Sequence, residues 1–266
     1  MINENLHKNA VALDRVKHRT LKLDLAARDM GATGKLNAFF VAGTEFTDAA
    51  KDFPVVWVNA GTTDDGTVQV APIAVFGLKS GQNLCIEGDT WRVRYVPAML
   101  RLYPFALARV SADEMVVCFD DTWVGFGATG QDLFDAAGAP TDFTSGVQKQ
   151  LETFEQEVDR TRLAGAMLVE KDLLRDMRFD ATLPDGSTLV VDGFLTVDEQ
   201  KLAALPDADL LQLQRSGVMG LIHAHQISLG NMGRLVEWHV AREAAAAVAA
   251  AAAAALPVAP AASAAA

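Results

Sequence analysis

Cysteine and tyrosine each occur only twice in this 266-residue chain, and lysine and arginine together number 23 against 34 acidic residues. Each scarcity excludes something. Cys85 and Cys118 sit in short apolar runs, "NLCIE" and "MVVCF". That setting predicts buried, reduced thiols, and a disulfide would need an oxidising compartment. A formal charge of -11 leaves no whole-chain attraction for a phosphate backbone, so nucleic acid is not expected as a partner. The opening segment, "MINENLHKNAVALDRVKHRTLKLDL", has no apolar run of signal-peptide or membrane-spanning length. A cytoplasmic protein without membrane insertion is expected. The signatures GxSxG, HExxH and the Walker loop are absent. No catalytic residue, metal or cofactor is therefore predicted from motifs.

What the chain does have is apolar content, at 50% of its residues, enough for a full core. From Asn37 to about residue 120, short apolar runs alternate with turn residues, the pattern of an antiparallel meander. "PVVWVNAG" and "TVQVAPIAVFGL" read as strands joined at Asp64, Asp65 and Gly66. "NLCIEG" with "WRVRYV" form a second pair, and "FALARV" with "MVVCFD" a third. Before them, "GTEFTDAAKDF" has helical spacing.

After Pro140 the period changes. Val147, Leu151, Phe154, Val158, Thr161, Gly165 and Leu168 form one stripe of an amphipathic helix, with Ser145 and Gln148 as its capping box. A hairpin around "PDGS" follows, then a second capping box at Thr196 and Glu199. A helix opens at Pro206 and Asp207, and Gly230 with Asn231 ends or bends it before "MGRLVEWHVARE". The fold class expected is α+β: an N-terminal antiparallel β meander packed with C-terminal helices and a β-hairpin. The organisation is a lead-in over residues 1–34, a single domain over 35–240 (β-rich 35–125, helix- and hairpin-rich 140–240) and an alanine-rich extension over 241–266. Alanine favours helix up to Pro257, and the last residues are expected to be loose.

Three constellations invite a chemical reading. "GFGATG", Gly125 to Gly130, matches a dinucleotide fingerprint, but Gly138 and Pro140 interrupt the helix that the fingerprint needs, so a flexible glycine loop is expected. His223 and His225 would point apart on a helix, and only His225 and His239 could share a face, if the helix ran unbroken through Gly230, which still leaves a metal site one ligand short. Glu45, Asp48 and Lys51 lie one helical turn apart, and such carboxylates can do acid/base work or form a solvated face. Asp113, Glu114, Asp120 and Asp121 flank a strand and read as solubilising turn residues.

The densest stretch is "YVPAMLRLYPF", residues 95–105, which holds both tyrosines of the chain. Pro97 and Pro104 force extended backbone on Val96 and Tyr103, so "AMLRL" between them can make a turn or two of helix and the strand ends in a stiff corner. Trp91, Tyr95, Tyr103 and Phe105 would pack under it, and Arg101 could stack on a ring or clamp a carboxylate. The corner is either packed core or a binding platform, and Trp91, Tyr95, Arg101 and Tyr103 are the candidate binding residues.

The segments "NAFFVAGTEFTDAAKDFPVVWV", "GQNLCIEGDTWRVRYVPAMLRLYPFAL" and "VDGFLTVDEQKLAALPDADLLQLQRSGVMGLIHAHQISLGNMGRL" resemble the SapC family of bacterial proteins, from about residue 35 to 235. Residues 125–130 and the alanine tail fall outside the resemblance. This family is distinct from the peptide-transport permease of similar name. The resemblance implies a link to surface-layer or outer-membrane uptake systems and brings no catalytic residues. Two functions stand: an accessory protein that binds a polypeptide or protein partner, compatible with a homo-oligomer, or an enzyme using Glu45, Asp48 or His225 between sheet and helices.

Overall fold

In the computed structural model, residues 2–111 and 114–254 are described. Asp113 and the end of the alanine tail therefore lie outside them. The chain runs through β1 (Ala10–Ala12), β2 (Lys22–Leu23), β3 (Ala38–Phe40), α1 (Phe46–Asp52), β4 (Val55–Thr62) and β5 (Val68–Val75). It continues with β6 (Ile86–Glu87), β7 (Thr90–Trp91), α2 (Ala98–Leu102), β8 (Phe105–Arg109), β9 (Met115–Asp120), β10 (Phe126–Gly127) and β11 (Gln131–Asp132). The rest is α3 (Asp142–Glu170), β12 (Leu174–Thr182), β13 (Thr188–Val197), α4 (Glu199–Ala203), α5 (Asp207–Ser216), α6 (Val218–Ser228) and α7 (Asn231–Ala254). The class is α+β, with antiparallel sheets and helices closing the C-terminal part.

The strands of the expected meander do not lie in one sheet. β4 and β5 join β3 on one side and the late hairpin on the other, in the order β12-β13-β4-β5-β3, while β8 and β9 pair with β1 in a separate sheet. Residues 1–34, read as a lead-in, supply β1 to that second sheet and β2 to a small third one. The second expected pair shrinks to two residues a side, β6 and β7. Its continuation is diverted because Asp52 Oδ2 takes the N–H groups of Arg94 (3.1 Å) and Tyr95 (2.8 Å), donors a ladder would otherwise need.

The stripe read along α3 is the one it buries, and it divides between two cores. Leu151 belongs to a cluster with Phe105, Phe119, Leu133 and Phe134. Phe154, Val158, Ala164 and Leu168 belong to a larger cluster under the five-stranded sheet, with Trp57, Phe46 and Phe53. Full burial of a Leu, Phe or Val side chain stabilises the fold by about 1.5–3 kcal/mol, and α3 contributes such side chains to both clusters. Gly165 permits a close approach of α3 to the sheet: a Cβ there would lie 3.0 Å from the Val70 carbonyl and 3.4 Å from the Trp57 ring.

The helix ends correct several details. Thr141, not Ser145, caps α3, accepting the Thr144 N–H at 3.4 Å. Asp198 caps α4 through the N–H groups of Gln200 and Lys201, while the Thr196 hydroxyl turns inward to His225. The helix expected from Pro206 onward breaks at Gly217, whose φ of 82° is left-handed, into α5 and α6. A second break at Gly230 precedes α7, so His225 and His239 share no continuous helix. Asn231 and Arg234 then reach back to the last carbonyls of α1, from Ala50 to Phe53, satisfying groups the helix itself leaves orphaned. Both thiols are buried and free.

Candidate functional site

The corner at residues 95–105 joins the two cores, and carboxylates pin it from behind. Glu45, buried at the start of α1, accepts the Tyr95 hydroxyl at 2.6 Å and the Ala98 N–H at 2.7 Å on one oxygen, and the Ala42 N–H at 2.8 Å on the other. Asp52, at the other end of the same helix, holds the backbone of Arg94 and Tyr95. Asp120 is fully buried and accepts Tyr103 Oη (3.0 Å), the Lys8 and Asn9 N–H groups, and both donors of Thr122. Burial works against its charge, yet the bonds from Thr122, Lys8 and Asn9 outweigh it and hold the carboxyl below its usual range. Asp120 is thus a tether rather than the solubilising turn residue expected from its flanking position. Burial, followed by the neighbouring carboxylate, pushes both tyrosine hydroxyls well above their ordinary range.

In front of the corner lies a cleft of about 750 Å³ whose lining includes Trp91, Tyr95, Arg101 and Tyr103, so the sequence-predicted residues open on one space. They differ in freedom. Trp91 also packs edge-on against Phe53 and Phe76, and the tyrosines are held by Glu45 and Asp120. Arg101 is exposed, its guanidinium 5.8 Å from the centre of the Tyr95 ring. The corner is therefore core on one side and surface on the other. A second cleft, of about 810 Å³, shares Tyr95, Arg101, Leu102 and Gln150 with the first and is lined further by residues that include Glu45, Asp48 and Lys149.

Among the members of the first cleft that sequence reasoning missed are Arg28, Arg94 and Trp123. Arg94 was legible as a charge in "WRVRY", but its direction depends on Asp52, forty-two positions away. Trp123 was obscured by the glycine-rich segment that follows it. That segment is no free loop: β10 and β11 flank β2, and the Trp123 ring covers Gly125, where a Cβ would meet it at 2.0 Å. The next helix begins only at Asp142, so the geometry of a dinucleotide fingerprint is not formed.

Of the acid/base candidates, Glu45 and Asp48 line the second cleft, and His225 is buried apart from them. Both Glu45 oxygens are engaged as described, and Asp48 is exposed and paired with Lys51 at 2.7 Å. His225 is 0% exposed. Its Nδ1 donates to the Val55 carbonyl at 2.6 Å, while Nε2 faces the Thr196 hydroxyl at 2.9 Å and accepts the Val197 N–H at 3.2 Å. Burial lowers its pKa, and the ring is a neutral bolt between β4, β13 and α6. His223 is exposed on the other side of the helix. Among the described residues no three metal-ligating side chains are grouped. Nor is any described helix long and apolar enough to cross a membrane.

Residues 13–235 match the family model for SapC. The match begins earlier than the resemblance read from the sequence and runs through residues 125–130, which that reading had placed outside it. No curated protein and no solved structure matches the chain. Covering most of its length, the family match shows that this chain belongs to the SapC family.

Proposed function

We propose that the protein is a cytoplasmic accessory protein that recognises a polypeptide or protein partner through the cleft in front of the 91–105 corner, in the service of a surface-layer or outer-membrane uptake system. The observation that carries the reading is the convergence of Trp91, Tyr95, Arg101 and Tyr103 on one open cleft whose rear wall is rigidly tethered. A preorganised aromatic surface with arginine at its rim suits partner recognition, because little ordering entropy remains to be lost on binding. The engagement of Glu45 and His225 in holding the backbone leaves neither free for proton transfer.

Native mass spectrometry of the full chain from its own host, paired with hydrogen exchange on any complex retained, tests the proposal. A retained polypeptide that protects residues 91–105 and the segment around Trp123 is the expected result. A retained small molecule or metal ion, or protection confined to other surfaces, would overturn it.

A further inference from the structure

The cleft is locally cationic in an acidic protein. Its rim carries Arg28, Arg94 and Arg101, whereas the chain as a whole has a formal charge of -11. The one carboxylate in the lining, Asp29, turns its Oδ1 to the Gly31 N–H at 2.7 Å. Neither Arg94 nor Arg101 has an ion-pair partner among the described residues. Arg92, two positions before Arg94, behaves differently: it pairs with Glu87 and stacks on Trp238 at 4.6 Å. Between the cleft arginines lies an apolar floor that includes Trp91, Tyr103 and Trp123, the last two edge-to-face at 6.5 Å.

We infer that the partner presents to this cleft a peptide segment in which an acidic side chain stands beside an aromatic or large apolar one, the carboxylate going to Arg94 and Arg101 and the ring to the floor. The inference rests on the polypeptide reading above and specifies its chemistry. Guanidinium groups match carboxylates bidentately, and flat rings pack edge-on to indole and phenol. The charge contrast also selects the place of docking. An acidic segment is disfavoured by a chain whose formal charge is -11 and favoured at the arginines of this cleft, a contrast that orients docking and raises the encounter rate. A long polyanion such as nucleic acid would set many charges against a chain at -11, whereas a peptide brings only one or two charges to the arginines. At about 750 Å³ the cleft exceeds what a single small carboxylate fills.

Selection of a random peptide library on the full chain, followed by fluorescence polarisation of the labelled winners, tests this. Enriched peptides should pair Asp or Glu with an aromatic residue and should weaken as salt rises. The double variant R94E/R101E should bind them at least about tenfold more weakly and reverse the charge preference of a fresh selection toward Lys and Arg. K149E, in the neighbouring cleft, should leave the affinity unchanged. Thermal melts check that the variants fold, and R94E alone carries the test if the double variant does not. Winners without an acidic bias, bound equally by wild type and R94E/R101E, overturn the inference and leave peptide recognition standing. Failure to enrich any peptide, whether or not phenylacetate or oligothymidine binds instead, overturns both.

Discussion

Replacing Glu45 separates a carboxylate that holds the fold from one that does chemistry. In Glu45→Ala, the Ala42 and Ala98 N–H groups and the Tyr95 hydroxyl lose their acceptor at once. A hydrogen bond to a charged group contributes about 1.5–3 kcal/mol, and a buried donor left unpaired costs about 1–3 kcal/mol. Ala42 is fully buried, so its N–H loses its partner without replacement, whereas Tyr95 and Ala98 are half-buried and water can recover part of their loss. The expected total is about 4 kcal/mol, roughly a 10 °C fall in Tm for a chain of this size. Glu45→Gln keeps one accepting oxygen but sets an amide N–H₂ against one of the donors, so about half that loss is expected. Asp48→Ala, which removes only an exposed pair with Lys51, should change stability by no more than about 0.5 kcal/mol. Urea unfolding followed by tryptophan fluorescence gives the three values, and hydrogen exchange at residues 94–102 should speed up in Glu45→Ala alone. If Glu45→Ala proved as stable as Asp48→Ala, the carboxylate would not be the tether of the corner. An increase in stability would point instead to a strained functional acid.

Two further outcomes follow from the packing and the titrations. Burial lowers the pKa of His7, His225 and His239 in the folded chain, so below their unfolded value of 6.5 the unfolded state binds protons that the folded state does not. Stability should be full above that value and fall with pH beneath it, by about 1.4 kcal/mol per pH unit for each histidine that stays neutral. Urea midpoints that stay flat from about pH 7.5 to about pH 5.5 would refute this. Gly165→Ala should lose about 1 kcal/mol, because overpacking against the Val70 carbonyl and Trp57 outweighs helix propensity. In the same helix, Gly146→Ala has open space around its Cβ and should gain up to about 1 kcal/mol; the same sign for both variants would contradict the close contact.

What the sequence determined by itself is what short-range physics fixes. The periodicity of 3.6 along residues 147–168 marked the buried stripe of α3, and turn residues at Asp64 to Gly66 and at "PDGS" marked two hairpins. The prolines at 97 and 104 confined "AMLRL" to the single short helix α2. Tertiary structure decided everything that depends on which distant group takes a donor. Asp52 takes the N–H groups that would have extended β7, and Thr196 serves His225 instead of capping α4. Asp120, polar and next to a second acid, has the local signature of a turn, yet the chain folds the amides of Lys8 and Asn9 onto it. The candidate site divides in the same way. Its aromatic density was visible because the residues are neighbours in the chain. Arg28 and Trp123 come to it only through the sheet that β2 forms with β10 and β11, a pairing between segments about a hundred residues apart that no local pattern encodes.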